Sequence, residues 1–279
     1  MNTPDYHKLQ EEILKMPPEQ RFYTGDGGAL RGLFGENACV FGAGTYSNIE
    51  VLQSIPEDTK KLYLYYGSAG RDLLESILQL EIIKNLEWLV IGITRFYSGY
   101  HTDYTQISSL LAGARFPKLK LFEYGVDQLL ANEHCLYGNL GNVTQILNNM
   151  PNLEKLYLYG NFELAEPINL PHLTDLEVLI DDWVTHINGG KITNNTLQNL
   201  LSSKFESLRL LSLYLDFDDQ NYDYSIPELF LTGSNTPALK VIEINGKFKS
   251  GTKIRFNSAS FFKNSDIKLQ IEDIEEPDI

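Results

Sequence analysis

Pro151-Asn152-Leu153-Glu154-Lys155-Leu156-Tyr157-Leu158-Tyr159-Gly160 reads Pro-x-Leu-x-x-Leu-x-Leu, a turn that runs into a short alternating strand. The phrase returns at Pro117 (Leu119, Phe122, Tyr124), Pro171 (Leu173, Leu176, Val178) and Pro237 (Leu239, Ile242, Ile244). Glu206 opens a further copy without the proline (Leu208, Leu211, Leu213). With weaker copies at Glu57 and Lys84, the openings are spaced by 27, 33, 34, 20, 35 and 31 residues, a mean of 30. A last strand is expected at Ile267-Lys268-Leu269-Gln270-Ile271. One supersecondary unit repeated at such a period predicts a solenoid, because a single unit cannot bury its own apolar face.

Between the strands lie segments with apolar residues at helical spacing. They are Arg71 to Lys84, Thr105 to Ala114, Asn142 to Met150 and Asn194 to Phe205, the last opened by an asparagine suited to capping. The 20-residue copy from Pro151 to Pro171 is too short to return through a full helix. Upstream, Leu9, Ile13 and Leu14 predict a helix over residues 5 to 15, ended by Pro17-Pro18. A solenoid end needs a polar cap, so residues 1–35, this helix and a glycine-rich loop, are assigned to one. Residues 36–279 form the repeat domain with a short acidic tail.

Strand, turn and helix with Leu-x-x-Leu-x-Leu on each strand resembles the leucine-rich repeat superfamily, over about residues 36 to 272. Phe116-Pro117-x-Leu119 and Met150-Pro151-x-Leu153-Glu154-x-Leu156 resemble irregular bacterial cytoplasmic members. The asparagine that the superfamily places three residues past the last strand leucine is kept only at Asn161. The resemblance implies an α/β leucine-rich-repeat solenoid, with a curved parallel sheet on the concave side and helices on the convex side. It implies no activity.

Alternate residues of a strand face opposite ways, so the side chains between the leucines are expected on the outer, concave face. That places Tyr63, Tyr65, Trp88, Tyr157, Tyr159 and Tyr214 there, with Glu123, Asp175, Glu177, Glu243 and Ser212. Tyrosine and tryptophan outside a core are the types enriched at binding hot spots, although tyrosines can also pack on one another as cross-strand neighbours. The carboxylates would steer a basic partner. Asp181, Asp182, Asp216, Asp218 and Asp219 follow the strand ends as structural or solvated carboxylates; Asp181 and Asp216 stand where the superfamily's asparagine belongs, so bonding to their own turn backbone would explain those two.

The chain carries 23 basic and 37 acidic residues, a net charge of −14, which argues against nucleic acid or an anionic membrane as ligand. Two cysteines, Cys39 and Cys135, form no CxxC pattern and suit a reducing compartment. Residues 1–8 lack a signal-peptide pattern, and apolar runs such as 88–91 are too short to span a bilayer, so a cytoplasmic protein is expected.

Catalytic and cofactor motifs fail on inspection. Gly42-Ala43-Gly44 has Ser47 where a dinucleotide fingerprint needs its third glycine, and no acid ends the next strand. Asp216-Phe217-Asp218-Asp219 lacks the glycine and distal glutamate of a calcium loop. His134 and Cys135 are adjacent, a poor geometry for a nucleophile and its base. No HExxH, Gly-x-Ser-x-Gly or phosphate loop is present. The expectation is a non-catalytic protein-binding module without cofactor or metal. Its partner would be a basic protein, as an immunity or antitoxin-type protein has in a basic toxin; a scaffold or substrate-recruiting repeat protein is the alternative, and a loop-borne enzyme is the remaining class.

Overall fold

The computed structural model describes residues 38–41, 55, 57–66, 70–93, 103–125, 138–180, 192–215, 224–264 and 266–273. Among them, ten strands build one open, wholly parallel sheet. In chain order they are β1 (Ala38–Phe41), β2 (Lys61–Tyr66), β3 (Trp88–Ile93), β4 (Leu121–Tyr124), β5 (Gly138–Asn142), β6 (Lys155–Glu163), β7 (Asp175–Leu179), β8 (Leu210–Tyr214), β9 (Val241–Phe248) and β10 (Asp266–Asp273). Every strand lies beside the next in sequence except β5, which pairs only with the far half of β6 while β4 pairs with its near half.

Helices are α1 (Gly70–Ile77), α2 (Thr105–Ala112), α3 (Thr144–Asn148), α4 (Asn194–Ser202), α5 (Glu228–Leu231) and α6 (Thr252–Ser258), with 3₁₀ turns at Glu81–Asn85 and Ser260–Asn264. Parallel neighbours require a crossover, and the helices between strands supply several of these. Only turns and a bridge connect β6 to β7 over residues 164–174, so the short copy indeed contains no helix.

The leucine phrase explains the packing. Leu156 and Leu158 of β6, Leu176 and Val178 of β7, and Leu211 and Leu213 of β8 join Ile146 of α3 and Leu197 and Leu200 of α4 in one buried apolar cluster. Full burial of such a side chain is worth about 1.5–3 kcal/mol. Its repetition on β2 to β4 and β6 to β9 holds the stack together.

The strands start in step because each entry carbonyl accepts two N–H groups from the next. Lys120 O takes Glu154 N and Lys155 N at 2.8 Å each, Glu154 O takes Thr174 N and Asp175 N, and Thr174 O takes Arg209 N and Leu210 N. At two openings the next residue adds a side-chain tie. Asn152 Nδ2 donates to Pro117 O, and Ser207 Oγ to Pro171 O, linking each turn to the preceding one.

β6 runs past Asn161 to Glu163 through Gly160 (φ 128°), and pairs there with β5, a strand that lacks the leucine phrase. Two sequence expectations are corrected. Asn194 does not cap α4; the N-cap is Thr193, whose side chain accepts from Thr196 N, while Asn194 Oδ1 accepts from Ser225 N. The helical reading from Arg71 to Lys84 breaks into α1 and a 3₁₀ turn. The expected N-terminal helix and glycine-rich loop, the Gly42-Ala43-Gly44 turn, His134-Cys135 and the loop acids Asp181, Asp182, Asp216, Asp218 and Asp219 lie outside the described residues.

Candidate binding face

The strand registers order the outward side chains into rows. The first row runs Lys61, Trp88, Leu121, Lys155, Asp175, Leu210, Val241 from β2 to β9, omitting β5. The second runs Tyr63, Val90, Glu123, Tyr157, Glu177, Ser212, Glu243. The third includes Tyr159, Leu179, Tyr214 and Asn245 on β6 to β9. Of the expected binding residues, only Tyr65 has a side chain outside the described set. The others fall on this one face.

Their exposure divides the face in two. Tyr63 (0 %), Trp88 (5 %) and Glu123 (1 %) are buried, as are Val90 and Leu121 between them. These apolar residues do not belong to the main core cluster, so the β2–β4 part of the face forms a second buried layer. Lys61 Nζ stands 4.6 Å from the centre of the Trp88 ring, a cation–π contact. The expectation that all these aromatics stand free in solvent is therefore corrected for Tyr63, Trp88 and Tyr159 (2 %), and for the polar Glu123 and Ser212 (6 %). Alternation sets the direction of a side chain, and what then lies over it is a tertiary matter. Tyr157, Asp175, Glu177, Tyr214 and Glu243 remain half-buried, so the accessible part of the face spans β6 to β9.

Phenols and carboxylates are interlocked there. The Tyr159 hydroxyl donates to Glu177 Oε1 at 3.2 Å across the β6–β7 pair. Tyr214 stands in the same diagonal position to Glu243 across the β8–β9 pair. Burial pushes the Glu177 carboxyl above the usual carboxylate range, the Tyr159 bond opposes this, and the Glu243 charge adds to it. None of those influences is a cation. Burial, then Asp175, Glu177 and Glu123, raises the Tyr157 phenol well above its ordinary value, so it remains a hydrogen-bond donor. Tyr214 is raised by burial first and by the neighbouring Glu243 second.

A different feature runs along the edge where the strands begin. It is an open groove of about 600 Å³ lined by Glu87, Lys118, Lys120, Asn152, Glu154, His172, Thr174, Ser207 and Arg209. Charges of both signs line it, and Glu87 Oε1 meets Lys60 Nζ at 2.8 Å, which holds the Glu87 carboxyl below its usual range. No residue of the expected binding set lines it. Sequence reading missed it because turn residues far apart in the chain share one edge only when the strands stack in order.

Among the described residues no three His, Cys, Asp or Glu side chains are grouped to hold a metal ion. No helix among them is long and apolar enough to cross a membrane. No family model matches the chain, and no curated protein matches it. It is similar to a protein from Bacteroides fragilis of known crystal structure, at 18 % identity with a TM-score of 0.48. The match covers 74 % of this chain and 57 % of that one, so this chain spans little more than half of that protein's length.

Proposed function

We propose that the chain is a leucine-rich-repeat solenoid that binds a basic partner protein through the β6–β9 part of its sheet face. The observation carrying this reading is the recurrence of the tyrosine–glutamate pair on alternate strands of a half-exposed face. Seven openings at a mean spacing of 30 residues, each beside the next in a parallel stack, support the solenoid. A net charge of −14 supports a basic partner, because complementary fields raise association rates and suppress wrong partners. Half-buried Tyr157 and Tyr214 supply rigid anchors at low entropic cost. In its most specific form the partner is a basic toxin, such as a nuclease, which this acidic chain neutralises.

The test is capture from the source cell's lysate at about 0.05 M and about 0.5 M salt, since screening shortens the range of exposed charges across that interval. Wild type is compared with the double variant Tyr157→Ala with Glu177→Lys. A specific basic protein retained by wild type, released by salt and lost by the variant is the expected outcome. Capture indifferent to both salt and variant removes the sheet-face reading.

A further inference from the structure

We propose that the outward face of β7 to β9 receives one amphipathic helix of the partner, laid across the strands with apolar side chains on both flanks and basic ones along its middle. The inference rests on the sheet-face reading above and names the kind of segment that face takes.

The apolar residues carry it. Leu179, Leu210 and Val241 point outward, away from the core side chains of their own strands. Each is half-buried, and none belongs to the core cluster or to the partly buried residues packed against it. The same outward side of β3 and β4 holds Trp88, Val90 and Leu121, and there all three are buried. The two parts of the face therefore share an apolar character, but only one of them is covered. Tyr214, half-buried beside Leu179 in the register of β7 and β8, extends the uncovered part. Apolar groups gathered on an accessible surface mark a contact site.

Their arrangement selects the occupant. Leu210 and Val241 stand in the first row and Leu179 and Tyr214 in the third, with Glu177 and Glu243 in the row between. No basic residue stands in these three rows on β7 to β9. A complementary surface thus has cations along a middle line and apolar groups to either side. Glu177 and Glu243 are two strands apart, about 9.6 Å between backbones. Seven residues of helix advance about 10.5 Å, so positions i and i+7 match that interval. Positions i+3 and i+4 fall on opposite sides of the line and meet the two apolar rows. An extended segment returns a side chain to one face every 6.6 Å or so, about 1.8 Å out of step with the strands after a single strand.

The test is amide NMR titration with a stapled helical peptide that carries Arg at i and i+7 and Leu at i+3 and i+4. A stapled helix of the same composition in shuffled order and an unstapled analogue with a central proline are the comparisons. Saturable shifts centred on Leu179, Leu210, Ser212 and Val241 are expected, with roughly tenfold tighter binding than either comparison, the scale of a preorganised and correctly placed set of anchors. Leu210→Ser, Val241→Thr and Glu243→Gln should each weaken binding roughly fivefold, as for loss of a half-buried contact. Lys118→Ala, in the strand-entry groove, should leave it unchanged, and circular dichroism checks the fold of each variant. Equal binding of the shuffled or proline peptide, indifference to both Leu210→Ser and Val241→Thr, or shifts that do not centre on this face overturn the helix site. Sedimentation showing a dimer that Leu210→Ser dissociates assigns the face to a second copy and also overturns it. Lysate capture lost in Tyr157→Ala with Glu177→Lys but retained in Leu210→Ser with Val241→Thr removes the helix site and leaves the sheet-face reading standing. The expected titration together with capture indifferent to salt and to the Tyr157–Glu177 variant keeps the helix site and removes the basic-partner reading.

Discussion

Tyr159 donates to Glu177 Oε1 across β6 and β7, and Tyr214 stands in the same diagonal relation to Glu243 two strands further along the sheet. In each pair the tyrosine lies in the third row and the glutamate in the second, one strand on. Tyr159→Phe keeps the ring and removes only the donor. The Glu177 carboxyl should then titrate at still higher pH, because that bond is the one influence lowering it. The loss of stability should be about 1 kcal/mol, the scale of one net hydrogen bond. Carboxyl carbon NMR titration and urea denaturation check both.

Two carboxylates should respond to pH in opposite senses. Burial raises the Glu177 pKa in the folded state, so its proton binds more tightly there than in the unfolded chain. Stability from that group is present below the unfolded pKa and is lost as pH rises through the folded one. Glu177→Gln should thus raise the melting temperature at pH 7 by about 1–2 °C, a small gain because the side chain is partly screened by solvent. The gain should vanish near pH 4. Glu87 behaves oppositely: Lys60 lowers its pKa, so its contribution is present above the unfolded pKa and is lost as pH falls through the lowered one. Glu87→Gln should lower the melting temperature at pH 7 and not in strong acid. Thermal scans at several pH values check both directions.

Gly160 and Gly251 both have positive φ, and their alanine variants should differ sharply. A Cβ at Gly160 would lie 2.2 Å from Gly138 O, inside the β5–β6 pairing, where neither backbone can yield. Gly160→Ala should cost at least about 3 kcal/mol, in the range of strain combined with a broken backbone contact. At Gly251, φ is 80° and no atom lies within 4 Å of the added methyl. Only the left-handed backbone penalty of about 1–2 kcal/mol remains. Urea midpoints of the two variants test the contrast.

Asn152→Ala and Ser207→Ala each remove a tie to the preceding turn, at Pro117 O and Pro171 O. Each should cost about 0.5–1.5 kcal/mol, and the double variant should cost the sum because the two ties share no partner. A double-mutant cycle by chemical denaturation measures this directly.

The inward leucines were legible from sequence because a strand has period two. Leu153, Leu156 and Leu158 are all fully buried, as their alternation with Lys155 and Tyr157 requires. The order of the strands was legible too, since each opening repeats and consecutive units must stack to cover their apolar faces. The far half of β6 was not legible. Gly160 and Asn161 carry the residue types of a turn, yet β5, from a segment without the leucine phrase, pairs with them and keeps the strand extended. Thr193 and Asn194 could each cap a helix, and only the position of Ser225 assigns the asparagine elsewhere.

Sequence alone determined which side chains share a face and in what order they succeed one another, because both follow from local periodicity. The tertiary structure decided which part of that face remains accessible, burying Tyr63, Trp88 and Glu123 and leaving Tyr157, Glu177, Tyr214 and Glu243 half-exposed. It also bonded Tyr159 to Glu177 and set Tyr214 diagonally beside Glu243. Such contacts cross between strands, and exposure and bonding across strands depend on what neighbouring segments bring close, which no single segment's periodicity encodes.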